Sequence, residues 1–104
     1  MAVRVRTAPQ ARAQVRRAKE WWVRNRGAAP APLKEELAHA LVMIVEFPDI
    51  GKVYEHPEIP GLRRLLLRRT RYHIYYVHDA TAHEVLVLAF WSAVRGRDPV
   101  LVAP

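Results

Sequence analysis

The side chains whose types could act on a phosphodiester gather in two places: five arginines with His73 and His78 in residues 61–78, and Arg95 and Arg97 near the C-terminus. Cleavage of RNA by its own 2′-hydroxyl needs a group to take a proton, a group to give one, and cations to hold the charge that develops on phosphorus. A histidine serves either proton role near neutral pH, and arginines are permanent oxyanion clamps. Residues 62–68 alternate Arg63/Leu65/Leu67 with Arg64/Leu66/Arg68, the period of a strand, so Arg64 and Arg68 share one face. Leu66 stands between them and interrupts the row of cations. A solvated strand face explains Arg64, Arg68 and His73 as simply as a site does. Arg95 and Arg97 flank Gly96 just before Pro99, and a phosphate or acidic-partner contact fits them better than surface decoration.

Other chemistries find less support. The histidines at 39, 56, 73, 78 and 83 lack the mutual spacing of metal ligands and have no acidic cluster beside them. Neither a metal nor another cofactor is expected. The chain has no cysteine, which removes disulfides and thiolate sites and suits a reducing compartment such as the cytoplasm. No apolar run reaches the roughly 18–20 residues of a membrane span, and no signal-peptide pattern is present.

Positioning these residues falls to a single domain, 1–104, with 51% hydrophobic residues distributed along its length. Val3–Arg6 alternates as a half-buried strand. Thr7 offers a capping hydroxyl and Pro9 a first helical turn, and Ala11, Val15, Ala18 and Trp22 then form one helical stripe to about Asn25. Trp22 belongs inside and its neighbour Trp21 at an edge or in a partner contact, because adjacent helical residues sit roughly 100° apart. Gly27 stops the helix and residues 28–32 make the connection. A second helix runs from about Leu33 to Glu46, with Leu33, Leu37, Ala40, Leu41 and Ile44 as its apolar face and His39 beside it. Pro48, Pro57, Pro60, Gly51 and Gly61 mark 48–61 as a loop long enough to suggest a binding role. Strands follow at 62–68, 72–78 and 84–91, the last two joined by a turn at 79–83 and the last apolar on both faces. After Trp91 a loop with a short final strand or tail is expected. The fold class is α+β in two layers: an N-terminal strand and a helical hairpin packed on one face of an antiparallel sheet, order βααβββ. The opposite face should be at least partly open, and function is expected there.

The net charge of +7 is unevenly placed. Residues 1–26 hold eight Lys/Arg against Glu20 alone, 61–78 hold five arginines and no acid, and 28–60 are acidic. Such a surface favours phosphate backbones or an acidic protein partner.

Four landmarks in this order resemble the RelE/ParE toxin superfamily of type II toxin–antitoxin systems, over residues 3–100: Pro48-x-x-Gly51 after the second helix, Gly61-x-Arg63 opening the sheet run, Tyr72-His73-Ile74-Tyr75-Tyr76, and Trp91 followed by Arg95 and Pro99. The resemblance implies a cognate antitoxin whose C-terminal segment wraps the toxin in a hetero-oligomer. It also implies one of two targets. RelE-like members cleave messenger RNA on the ribosome without a metal, and Arg64, Arg68, His73 and Arg95 would then be catalytic. ParE-like members inhibit DNA gyrase and lack the nuclease residues. With Leu66 and His73 where RelE-like toxins carry basic residues, and no tyrosine after Trp91, the ParE-like reading is favoured, with binding rather than catalysis as the mode of action. Arg12, Arg16, Arg64, Arg68, Tyr75, Trp91, Arg95 and Arg97 are the expected target or antitoxin contacts. Tyr75 shares a face with His73 and is expected at the surface, whereas Tyr72 and Tyr76 are expected to be core or hairpin residues rather than catalysts. A basic nucleic-acid-binding domain is a third possibility, without a recognised motif behind it.

Overall fold

The computed structural model describes residues 3–26 and 31–104; the expected stop at Gly27 and most of the interhelical connection lie outside them. The element order is β1 (Arg4–Thr7), α1 (Pro9–Arg26), α2 (Ala31–Glu46), β2 (Lys52–Val53), β3 (Arg63–Leu67), β4 (Tyr72–Asp79) and β5 (Glu84–Ser92). The expected βααβββ order is present, with a two-residue strand added inside the 48–61 loop. Thr7 remains in β1, and its carbonyl rather than its hydroxyl meets the helix, accepting from Arg12 Nη2 at 3.1 Å. No final strand forms after β5 among the described residues.

The sheet runs β1-β5-β4-β3-β2. All neighbours are antiparallel except β1 and β5, which pair parallel with Arg4 opposite Glu84 and Thr7 opposite Val87. β4 and β5 form the centre. Between Tyr75 and Tyr76 their register slips by one, leaving Leu88 as an extra residue on β5. This bulge lets Leu88 and Ala89 both serve one face while Val85, Val87 and Phe90 serve the other. The donor freed near the bulge is used: the buried Gln14 of α1 accepts from Phe90 N at 2.8 Å.

One core lies between helices and sheet. Ala11 and Ala18 of α1, Leu33, Ala40 and Ile44 of α2, and Leu67, Ile74, Tyr76, Val85, Val87 and Phe90 of the sheet are buried in it, with Val15, Trp22, Leu37, Leu41 and Tyr72 packed around them. Full burial of each large aliphatic or aromatic side chain is worth roughly 1.5–3 kcal/mol. Tyr72 lies parallel to Phe90 with ring centroids 4.7 Å apart. Trp22 packs inward and Trp21 is 42% exposed, as the helical phase requires.

A second core was not expected. Ile59, Leu62, Tyr75, Leu88 and Ala89 are buried on the opposite sheet face, under Tyr54, Trp91 and Leu101. The 48–61 loop and the C-terminal tail therefore close much of the face expected to be open. Tyr75 is 1% exposed and belongs to this core rather than to the surface. Alternation assigned its face correctly; loops that period-two patterning cannot place decide what covers it.

Three landmarks of the sequence prove to be parts of one structural unit. Tyr76 Oη donates to Pro48 O at 2.7 Å and accepts from Gly51 N at 2.9 Å. Arg63 Nη1 donates to Gly51 O at 2.8 Å and Asp49 O at 3.2 Å. A Cβ on Gly51 would lie 2.8 Å from Tyr76 Oη, so glycine is required by close approach. The turn after α2 is thereby fastened to β3 and β4. At the other end of α2, Glu36 accepts from Arg69 N, Thr70 N and Thr70 Oγ1 and holds the β3–β4 turn. Burial alone would raise the Glu36 pKa, but the Thr70 hydroxyl, the two amides and the Arg69 charge outweigh it and hold the carboxyl below its ordinary range.

Candidate functional site

The second sheet face gathers the phosphate-binding candidates because β3, β4 and β5 are in register there. Leu66, His73 and Trp91 form one cross-strand row, and Arg64, Tyr75 and Ala89 form the next. The Arg64 guanidinium lies 4.7 Å from the centroid of the Tyr54 ring and 6.0 Å from that of Tyr75. Tyr54 and Tyr75 meet edge to face at 5.4 Å, and the His73 ring meets Tyr75 at 6.0 Å. Arg95 stacks over Trp91 at 4.2 Å, with Arg97 at 5.9 Å. Such cation–π contacts are worth about 0.5–1 kcal/mol at exposed sites. They orient the guanidinium planes without occupying their hydrogen-bonding edges. Trp91 Nε1 donates to Arg97 O at 3.0 Å, which turns the chain back along the sheet.

The electrostatics of this face rest on two residues outside the strands. Burial depresses the His73 pKa, and Arg64 adds to the effect while Asp98 opposes it. Burial raises the Tyr54 pKa, and Asp98 beside its hydroxyl raises it further. Burial and Arg64 thus favour the neutral imidazole, a proton acceptor, over the imidazolium. Neither Tyr54 nor Asp98 was among the expected site residues. The available signal was Asp98 as the only acid after Glu84, set against Pro99.

Arg68 does not join the row. It falls in the turn after β3, exposed, next to Arg69, which pairs with Glu35 at 3.3 Å. The expected nuclease set is thus split: Arg64 and His73 are close together, Arg95 is stacked on Trp91, and Arg68 lies beyond the strand end.

Arg12 and Arg16 are elsewhere. With Lys19 they rim a groove of about 340 Å³ on the helical side, whose wall and floor include Val15, Leu37, Leu41, Ile74 and Phe90. The helices touch each other little, and the groove lies between them over the sheet. An apolar floor with a basic rim suits an amphipathic segment carrying acids along its edges. Among the described residues, no group of three or more His, Asp or Glu is placed to hold a metal ion, and no helix is long and apolar enough to cross a membrane.

Comparison with known proteins agrees with this architecture. The family model for the ParE toxin of the type II toxin–antitoxin system parDE matches residues 5–96. Among curated proteins no match is found. A chain of the intact E. coli RelBE toxin–antitoxin complex superposes with TM-score 0.66 at 21% identity, covering 90% of this chain and 100% of that one. A chain of the chromosomal ParDE system of P. aeruginosa gives TM-score 0.66 at 17% identity, with coverage of 86% and 95%. A chain of the RelBE2 toxin–antitoxin complex of Mycobacterium tuberculosis gives 0.64 at 19%, with coverage of 88% and 99%. These structural likenesses establish the shared fold, and the family match across both sheet and helices establishes the lineage. The chain belongs to the ParE toxin family, within the RelE/ParE superfamily of type II toxin–antitoxin toxins.

Proposed function

We propose that this toxin is a ParE-like growth inhibitor that acts by binding DNA gyrase in the cytoplasm and is silenced by a cognate antitoxin. The observation that carries the reading is the broken cation row. Leu66 occupies the position between Arg64 and the strand end, Arg68 lies past it, and Arg95 rests on Trp91. A transition-state clamp needs several cations converging on one phosphate, and here Leu66 interrupts the row and Arg68 lies outside it. The rest of the proposal concerns partners. The groove rimmed by Arg12, Arg16 and Lys19 receives an amphipathic antitoxin segment with acidic edges, and Arg95 and Arg97 contribute to target or antitoxin contact on the second face.

One observation supports a second reading, a RelE-like ribosome-dependent mRNA endonuclease. His73, whose pKa is lowered by burial and by Arg64, lies near that arginine, the pairing of proton acceptor and oxyanion clamp that such chemistry uses.

Induction of the toxin in bacteria, with and without its antitoxin, separates the two. Growth arrest with intact transcripts and gyrase-linked DNA breaks is the expected outcome. Ribosome-dependent transcript cleavage that is abolished by His73→Ala would replace it with the nuclease reading.

A further inference from the structure

Three of the five arginines between residues 61 and 78 stand together at one end of the sheet, where neither target reading uses them as a group. Residues 68–71, Arg-Arg-Thr-Arg, link the paired Leu67 and Tyr72 of β3 and β4. The turn therefore lies past the row of Leu66, His73 and Trp91 and is separate from the second-face site. It is fastened to its neighbours. Arg71 N donates to Leu67 O at 2.8 Å, and Arg71 O accepts from Ala93 N at 2.7 Å. Thr70 is buried, and Glu36 of α2 accepts from its hydroxyl and from both Arg69 N and Thr70 N. All three arginines are exposed. Arg69 meets the exposed Glu35 at 3.3 Å, a surface pair of little worth. Arg68 and Arg71 make no ion pair among the described residues.

Arg71 also holds a backbone conformation that an L side chain disfavours, with φ at 64°. His83 does the same in the β4–β5 turn, but histidine is among the residues enriched there and arginine is not. Glycine would close the β3–β4 turn without that strain. An arginine at a strained position on a rigid tip, beside two others, points to a use for its charge. The chemistry of the tip narrows the partner. Thr70, its one uncharged residue, is buried against Glu36, so the turn offers no apolar side chain to anchor an acidic protein segment. Tyr72, the neighbouring ring, is half-buried and stacked on Phe90, so unpaired bases find no platform there. Cations without stacking or apolar contact recognise a duplex by its phosphates. We propose that the turn of Arg68, Arg69 and Arg71 docks on the phosphate backbone of duplex DNA without regard to sequence. That the duplex is DNA rests on the gyrase reading, since gyrase holds DNA as it works; the docking itself is measured without gyrase.

The experiment is fluorescence anisotropy of a labelled DNA duplex of arbitrary sequence, titrated with the purified chain over a salt series. The logarithm of the parent's affinity should fall against the logarithm of salt with a slope of about 0.9 per phosphate contacted. Arg68→Gln with Arg71→Gln should weaken binding by about tenfold or more at low salt and flatten that slope by about two. Arg4→Gln with Arg17→Gln removes the same charge elsewhere: Arg4 lies opposite Glu84 at the far end of the sheet, and Arg17 is exposed on α1. That pair should cost less than about threefold, the effect of net charge at a distance. Arg71→Gly should weaken binding without lowering the melting temperature, which separates the contact from folding. A parent that does not bind at low salt, a tip double variant that loses no more than the control pair, or an Arg71→Gly variant that binds as the parent does would each overturn the proposal. So would tighter binding of a single strand or of an RNA duplex of the same sequence. Because gyrase is absent throughout, failure here leaves the gyrase reading intact, and undisturbed supercoiling leaves the measured docking intact.

Discussion

Replacing Tyr76 by Phe removes one oxygen and tests the reasoning about the turn after α2. Tyr76 is fully buried, and its hydroxyl is the partner of both Pro48 O and Gly51 N. Phenylalanine keeps the ring packing against the main core, so the change isolates the two hydrogen bonds. Arg63 cannot compensate for Gly51 N, because both are donors and Arg63 already serves Gly51 O. Each buried polar group left without a partner costs about 1–3 kcal/mol, and partial relaxation of the turn toward water brings the pair to roughly 2–3 kcal/mol. For a domain of this size that corresponds to a fall in melting temperature of roughly 10–20 °C. Calorimetry on the purified chain measures it. Gly51→Ala breaks the same unit by bringing a Cβ 2.8 Å from Tyr76 Oη, so the double variant should cost less than the sum of the two. A melting temperature within about 3 °C of the parent for Tyr76→Phe would refute the argument that this hydroxyl fastens the turn.

Three further outcomes follow from other contacts. His73 should titrate below the ordinary histidine range by NMR; Arg64→Gln should raise its pKa and Asp98→Asn lower it further, because their charges act in opposite senses. Glu36→Gln should lower stability by about 1–2 kcal/mol at pH 7 in denaturant melts. The Glu36 carboxyl is depressed in the folded state, so its contribution is present above the ordinary carboxylate range and lost as pH falls through the folded value; the difference between variant and parent should shrink in that acidic window. Gln14→Leu should leave Phe90 N unpaired beside the bulge, costing about 1–3 kcal/mol and speeding hydrogen exchange at that amide.

The helices and central strands were legible because apolar spacing reports which face is buried. Leu33, Ala40 and Ile44 lie inside as their spacing implies, and the alternation through Arg63–Leu67 assigned Leu65 and Leu67 to the helical side and Arg64 to the other. What escaped depends on pairing between distant segments. β2 has two residues, too few for a period. The parallel pairing of β1 with β5 depends on where the chain returns, which local patterning does not carry. Leu88 reads as one more apolar residue in a central strand, and only the register of β4 reveals it as a bulge. Tyr75 was assigned the right face and the wrong exposure, because Ile59, Leu62 and Leu101 come from segments outside the strands to cover it. At the candidate site, alternation within β3 and β4 places Arg64 and His73 on their faces, whereas Trp91 joins them only because the Leu88 bulge shifts the phase of β5. Tyr54 and Asp98 reach it from irregular segments, where no period assigns a direction.

The proposed action of the toxin is inhibition of gyrase by binding. The most direct test is a DNA supercoiling assay with purified gyrase and the purified toxin, with and without its antitoxin. Inhibition that grows with toxin concentration and is relieved by stoichiometric antitoxin is the predicted result. Undisturbed supercoiling at saturating toxin, together with cleavage of ribosome-bound messenger RNA by the same preparation, would contradict the account.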